Sequence, residues 1–158
     1  MSYDFFAFAD RMKYIKRWQL MRSVREENIM EHSQQVAMFA HALAVIKNRI
    51  YGGNVNAEKA VLYAVYHECA EVMTGDLPTP IKYFDNSIRG AYKNLEEKAS
   101  LKLLSMLPKE LEGDFAASII PDAQSEEYAI MKAADRLAAY VKCLQEQPCG
   151  KNEYPNAK

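Results

Sequence analysis

Apolar residues recur at intervals of three and four along most of the chain, and few segments alternate with a period of two. This spacing is typical of amphipathic helices, so the pattern predicts an all-α fold. In the last predicted helix the apolar positions 130, 133, 134, 137, 141 and 144 form one stripe. The predicted helices cover roughly residues 4–16, 28–49, 57–74, 87–106, 109–118 and 126–146.

Residues that begin and end helices support these bounds. Asn28, Asn56 and Ser125 stand where an N-cap is expected, because their side chains accept a bond from an unpaired N–H of the first turn. Gly52-Gly53 and Gly75 stand where helices are expected to end. The loop TGDLPTP follows Met73, and within it Thr79 is predicted to cap a short helix.

Length and composition indicate a single domain. The chain has 158 residues, of which 49% are hydrophobic, which is enough to fill one core. No apolar run reaches the ~20 residues that span a bilayer, and Asp4 and Asp10 interrupt the apolar start as no secretory signal would. The three cysteines form no Cys-x-x-Cys pair, which indicates reduced thiols, with Cys69 and Cys143 packed in the core. We therefore expect a cytoplasmic protein.

The charge disfavours a general nucleic-acid-binding protein, which would usually be basic. The net charge is −1 and the isoelectric point about 6.3. One segment is an exception: residues 11–25 carry six basic side chains and no acidic one.

Three carboxylates stand beside apolar stretches, where an unpaired charge is costly: Glu68, Glu71 and Asp135. Adjacent helical residues such as His67 and Glu68 can flank one ion, because they lie about 100° apart. His32 and His41 are nine residues apart and face opposite ways on a helix, so only one can point to a given site. We choose His32, in the first turn, and predict that His41 is structural or exposed. Taken singly, each of these residues also fits an ordinary core or surface position, so chemistry alone leaves a metal site open.

The order of a His, a His-acid doublet and a distant Asp on successive helices resembles the HD-domain phosphohydrolases. The segments RWQLMRSVREENIMEHS, YHECAEVMTGDLPTPIK and KAADRLAAYVKCL look more specifically like the bacterial HD-domain 5′-deoxynucleotidases of the YfbR type. The resemblance runs from about residue 5 to about 146. It implies an HD domain over residues 1–146, built as a helical bundle of five to seven helices with a metal site at its centre. Residues 147–158 are then a polar tail, and the family's last helix is missing from this chain.

The resemblance also implies a site and a reaction. One divalent ion, Co²⁺ or Mn²⁺, is expected to assist hydrolysis of deoxyribonucleoside 5′-monophosphates, in a homodimer that binds neither nucleic-acid polymers nor membranes. Glu71 and Arg17 match the catalytic residues, with Arg17 placed to bind the phosphate. The expected metal ligands are His32, His67, Glu68 and Asp135. The expected substrate contacts are Arg17, Trp18, His32, Glu68, Asp76, Leu77, Pro78, Thr79 and Asp135.

The doublet departs from the family at Glu68, where the usual residue is Asp. The additional methylene requires the helix to move back, the side chain to fold, or the metal to bind more weakly. Two alternatives therefore stay open: another HD phosphohydrolase reaction, such as pyrophosphate or phosphodiester cleavage, and a nucleotide-binding domain with impaired catalysis.

Overall fold

A computed structural model describes residues 4–82 and 84–146 of the chain. The predicted polar tail, 147–158, lies outside the described residues. A 3₁₀ helix, Asp10–Tyr14, follows the first α-helix. No described helix is long and apolar enough to cross a membrane. The α-helices are α1 (Asp4–Ala9), α2 (Ile29–Ile50), α3 (Ala57–Tyr66), α4 (Glu71–Thr74), α5 (Thr79–Lys82), α6 (Asn86–Leu104), α7 (Lys109–Ile119) and α8 (Glu126–Glu146).

The three helices α2, α3 and α8 pack against one another and form the frame of the fold. Their shared core is rich in alanine, which lets the helix backbones approach closely. Its buried members are Val36, Ala37, Ala40, Tyr63, Ala64, Met131, Ala134 and Ala138. The all-α class predicted from the spacing of apolar residues is confirmed.

A second apolar cluster lies on the other side of the start of α2. Its buried members are Phe5, Met12, Ile29, Cys69, Val72, Leu103, Leu104, Leu107 and Ile119. On α2, Ile29 belongs to this cluster and Val36 to the first one. His32 lies between them in sequence and is fully buried, so the two cores place it in the interior.

Side-chain caps begin the helices of the frame as predicted. Asn28 accepts the backbone N–H of Glu31 at 2.9 Å, and Asn56 accepts that of Lys59 at 3.0 Å. The Ser125 hydroxyl accepts a backbone N–H in the first turn of α8 at 3.2 Å. The predicted Thr79 cap is wrong: α5 begins at Thr79 itself, and the Pro78 carbonyl accepts its first N–H groups.

The single helix predicted over residues 57–74 is wrong, because α3 ends at Tyr66 and α4 begins at Glu71. A ring nitrogen of His67 binds the carbonyl oxygen of Ala64 at 2.6 Å, which is the oxygen that would accept the N–H of Glu68 in an α-helix. The next turn is tighter, with the N–H of Glu71 bonded to the carbonyl of Glu68 at 3.0 Å. This turn carries the histidine–glutamate doublet. The first predicted helix is also divided, because a 3₁₀ helix replaces its second half.

The stripe predicted on α8 differs from the buried face. The structure buries residues 131, 134, 138, 142, 143 and 146, while Leu137 and Leu144 are exposed. A pattern that counts only apolar residues places Lys142 and Glu146 outside, yet they are buried as an ion pair. Cys69 and Cys143 are buried free thiols, as predicted.

Candidate metal centre

Four side chains with metal-ligating atoms meet at the centre of the frame. His32 comes from the first turn of α2, His67 and Glu68 from the turn after α3, and Asp135 from the middle of α8. One ligand atom from each residue lies within 4.8 Å of every other. Residues that are 103 positions apart in the chain therefore converge on one point. Two imidazoles with two carboxylates suit a first-row divalent ion such as Mn, Fe, Co or Zn.

The hydrogen bonds of His67 prepare it as a ligand. A carbonyl oxygen only accepts, so Nδ1 of His67 donates its proton to Ala64. In a neutral ring this leaves Nε2 with a lone pair, and Nε2 is buried with no hydrogen-bond partner. The nearest oxygen of Glu68 is 3.0 Å away but is not aligned for a hydrogen bond. A buried nitrogen with a lone pair and no hydrogen-bond partner is suited to bind a metal ion, and this is why the four residues fit one.

His32 and Asp135 form the opposite half of the cluster. Nδ1 of His32 accepts a hydrogen bond from Nη1 of Arg17 at 2.9 Å, and Nε2 lies 3.0 Å from Oδ1 of Asp135. Burial lowers the pKa of His32, which favours the neutral ring that metals require. Burial alone would raise the pKa of Asp135, but the bond from His32 and the nearby positive charges hold it well below its usual range. A cation held by both residues would replace the proton they share.

The pKa values of two acidic neighbours are shifted in opposite directions. Burial opposes ionisation of Glu68, but His67 outweighs it and lowers the pKa of Glu68. Glu71 is only 5% exposed, and burial together with the charge of Glu68 raises its pKa to about 11. Burial and the neighbouring carboxylate therefore both favour the neutral form of Glu71. A carboxylic acid beside a metal cluster can donate a proton.

A cavity of about 280 Å³ opens beside this cluster. It brings Arg17 and Trp18 opposite the TGDLPTP loop, although the two segments are far apart in sequence. Leu77 is half-buried in that loop, and Thr79 is exposed. Burial raises the pKa of Asp76, as does the charge of Glu68. The lining includes Arg17, Trp18, Asp76, Pro78, Thr79 and Asp135.

The structure adds two residues that sequence reasoning missed. Lys132 donates to Oδ2 of Asp135 at 3.2 Å, and its i, i+3 position on α8 was the signal that could have identified it. Glu27 accepts from Nη1 of Arg17 at 2.7 Å, and no local pattern indicates that contact. His41 is exposed, in agreement with the choice of His32 over it.

Comparison with solved structures identifies the class of fold. An HD-domain phosphohydrolase from Listeria innocua superposes with a TM-score of 0.85 at 20% identity, covering 98% of this chain and 74% of that one. An HD phosphohydrolase from cyanophage S-2L, solved with dA and one catalytic Zn²⁺ ion, superposes with a TM-score of 0.60 at 21% identity. That match covers 87% of this chain and 69% of the phage protein. The fold is that of the HD-domain phosphohydrolases.

Sequence comparison narrows the class to a family. A model of the YfbR-like 5′-deoxynucleotidases matches residues 4–158. The 5′-deoxynucleotidase YfbR of Escherichia coli O1:K1 / APEC is 56% identical over 155 residues, which are 98% of this chain and 78% of that protein. The chain belongs to the YfbR-like 5′-deoxynucleotidase family.

Proposed function

We propose that this protein is a metal-dependent phosphoric monoester hydrolase that converts deoxyribonucleoside 5′-monophosphates to deoxynucleosides and phosphate. The observation that carries the proposal is the unpaired Nε2 of His67 within a four-residue cluster that adjoins the Arg17–Trp18 cavity. His32, His67, Glu68 and Asp135 would hold one divalent ion. When bound, such an ion activates water and neutralises charge on a phosphoryl oxygen.

Arg17 is the residue that we assign to the phosphate. Its guanidinium is half-buried, and its contacts to Glu27 and His32 both use Nη1. The other nitrogens of the planar group can donate to phosphate oxygens as a fork. Trp18 and the Asp76–Thr79 loop form two walls for the deoxyribose and base. His32, Glu68 and Asp135 would contact the phosphate from the metal side.

Glu71 is assigned to proton transfer. In the reaction a water oxygen bonds to phosphorus and gives up a proton, the bond between phosphorus and O5′ breaks, and O5′ takes up a proton. A Glu71 that gives its proton to O5′ is returned to its starting state by the proton that the water releases. Glu71 is buried against Glu68 and has a carboxyl oxygen without a hydrogen-bond partner. A protonated Glu71 is suited to supply the proton that the leaving oxygen needs.

The choice of ion and the assembly are further proposals. We propose Co²⁺ or Mn²⁺, on the family resemblance and the mixed imidazole and carboxylate ligands. The Zn²⁺ of the phage enzyme makes zinc the first competitor to test. We also propose a homodimer, a cytoplasmic location and a domain that ends near residue 146, on the family resemblance and the sequence. Reconstitution with single metals and analytical ultracentrifugation test the ion and the dimer.

A nucleic-acid polymer is not the substrate we propose. Several cations of the basic segment 11–25 are paired with acidic residues. Lys16 lies 2.7 Å from Glu26, and Arg25 lies 3.4 Å from Glu31. Paired charges of this kind give a weaker attraction to a phosphate backbone than the sequence alone suggested.

Phosphate release from dAMP after reconstitution with one metal tests the proposal, with AMP as the ribose control. His32→Ala should abolish release, whereas the exposed His41→Ala on the same helix should leave it unchanged. Equal release by His32→Ala and the wild type would contradict the proposal. Cleavage of a dinucleotide or triphosphate in preference to dAMP would favour a different HD phosphohydrolase reaction.

Glu68 is the observation that favours an impaired nucleotide-binding domain as the second candidate. The tight turn at residues 67–70 nevertheless places its carboxylate in the cluster. We therefore expect Glu68→Asp, which keeps the carboxylate ligand, to change activity by less than about tenfold, below the roughly 10–100-fold cost of losing an outer-shell partner. A gain far beyond that would show that the natural chain is impaired.

A further inference from the structure

The segment from Arg17 to Glu27, called here the Trp18 loop, is closed at its base by backbone hydrogen bonds. The N–H of Arg17 donates to the carbonyl of Glu27 at 2.9 Å, and the N–H of Ile29 donates to that of Ile15 at 3.0 Å. The loop therefore leaves the chain and returns to it at one place. These bonds fix its base but not the direction in which it projects.

A buried ion pair on α8 holds the far side of the Trp18 loop. Glu146 accepts from the backbone N–H of Val24 at 2.7 Å. The Ser23 hydroxyl lies 2.9 Å from Glu146 and 2.7 Å from the carbonyl of Arg25, and its one proton can go to either acceptor. Lys142 pairs with Glu146 at 2.7 Å and also donates to the carbonyl of Arg25. Lys142 and Glu146 are 5% and 6% exposed. One charged pair thus lies within hydrogen-bonding distance of three polar groups of the loop, which belong to Ser23, Val24 and Arg25.

Burial of this pair indicates a role in geometry. Two charges taken out of water gain little net stability, and such pairs are kept in some proteins because they specify one arrangement. Burial would raise the pKa of Glu146, but Lys142 and the two loop donors outweigh it and hold the pKa at about 2. The carboxylate is therefore charged throughout the neutral range.

The same helix carries a candidate metal ligand. Asp135 precedes Lys142 by seven residues, about two turns or ~10 Å along the axis of α8. A single rigid element therefore holds both Asp135 and the loop. α8 therefore connects the metal cluster to the far side of the loop, in addition to the direct hydrogen bond from Arg17 to His32.

Trp18 has a backbone conformation that needs such support. Its φ is +61°, in the left-handed region that bulky side chains rarely adopt. Such conformations persist only where the surrounding structure holds them, and they concentrate at functional sites. The contacts of the loop with α8 supply part of that constraint.

We propose that Lys142 and Glu146 are positioning residues that hold Arg17 and Trp18 at the distance from the metal cluster that substrate binding requires. This inference rests on the proposed function. According to this inference, the end of α8 influences substrate affinity through the Trp18 loop and does not itself contact the substrate.

Glu146→Gln tests the inference, because it removes the charge and keeps the size. Glu127→Gln is the matched control, since Glu127 accepts the backbone N–H of Asn56 at 3.0 Å and lies 3.8 Å from Lys59 at the other end of α8. We expect Glu146→Gln to raise the KM for dAMP about tenfold, in line with the large effect of small misplacements, while kcat and metal affinity change less than about twofold. Glu127→Gln should change none of these three quantities.

Fluorescence gives a measurement that needs no turnover. Trp18 is the single tryptophan of the chain, so acrylamide quenching reports on this loop alone. Quenching should increase in Glu146→Gln and not in Glu127→Gln, with Glu146→Asp intermediate. If Glu146→Gln does not fold, Ser23→Ala removes one loop contact and should show a smaller effect in the same direction.

Unchanged quenching and unchanged KM in both Glu146→Gln and Ser23→Ala would overturn the inference. A fall in metal affinity as large as the rise in KM would also overturn it, because the pair would then act on the whole site. If the wild type released no phosphate from dAMP, the proposed function would fail, while the quenching comparison would still decide whether the pair holds the loop.

Discussion

Replacing Asp135 by Asn tests the metal cluster most directly, because Asn keeps the shape of the side chain and removes its charge. In the structure Asp135 meets Nε2 of His32 at 3.0 Å and the ammonium of Lys132 at 3.2 Å, and its pKa lies well below the usual range. It is therefore an ionised candidate ligand at neutral pH. Loss of outer-shell partners alone costs about 10–100-fold in metal affinity, so we expect at least about 100-fold for this ligand.

The loss of metal affinity can be measured as a smaller thermal stabilisation by added metal. Metal at 1,000 times its Kd stabilises the folded state by about 4.1 kcal/mol, and a 100-fold weaker site at the same concentration gives about 1.4 kcal/mol. The difference, about 2.7 kcal/mol, corresponds to about 5–10 °C in Tm for a domain of this size. Calorimetric metal titration and thermal melts with and without metal measure both quantities.

Asp122→Asn is the control for this experiment, because Asp122 caps a turn by accepting the N–H of Gln124 at 2.9 Å and has no part in the cluster. Its metal-induced rise in Tm should equal that of the wild type. If Asp135→Asn kept the full rise and the wild-type affinity, the assignment of Asp135 as a ligand would be refuted.

Three further predictions follow from single contacts. Burial lowers the pKa of His67, but the carboxylates around it outweigh burial and raise it, so a metal ion must displace a proton there. Metal affinity should therefore fall by up to about tenfold per pH unit as the pH decreases through that raised pKa. A calorimetric titration series with the same affinity at every pH would contradict this. Arg17→Lys loses the planar fork and should lower kcat/KM for dAMP at saturating metal by about 10–100-fold, the value of one or two charged hydrogen bonds. Because Arg17 also donates to His32, metal affinity should fall as well, by up to about 10–100-fold in a calorimetric titration. Leu103→Ala should cost about 2–5 kcal/mol in urea unfolding, because Leu103 is fully buried, whereas Leu101→Ala, at an exposed site, should stay within about 0.5 kcal/mol.

The helices that the sequence predicted best are α2, α7 and α8, of which α2 and α8 begin at side-chain caps. Asn28 and Ser125 mark the starts of α2 and α8, and the bounds predicted for both helices are within about one residue of those observed. The break at His67 was not predictable from spacing, because a side chain there takes a backbone carbonyl from the helix. The buried face of α8 was misplaced because Lys142 and Glu146 read as solvent-facing charges until their partners in the Trp18 loop are known.

The sequence by itself determined the helical class, because apolar residues at fixed local spacing predict helices. The family and the four residues that meet at the cluster were predicted from the resemblance of the motifs, since chemistry and spacing alone left a metal site open. The tertiary structure alone decided which nitrogen of His67 lacks a hydrogen-bond partner, that burial beside Glu68 raises the pKa of Glu71, and that Glu27 and Lys132 contact Arg17 and Asp135. Those properties arise from burial and from contacts between distant segments. Burial and long-range contacts depend on how the chain folds, so the order of residues along the chain does not reveal them.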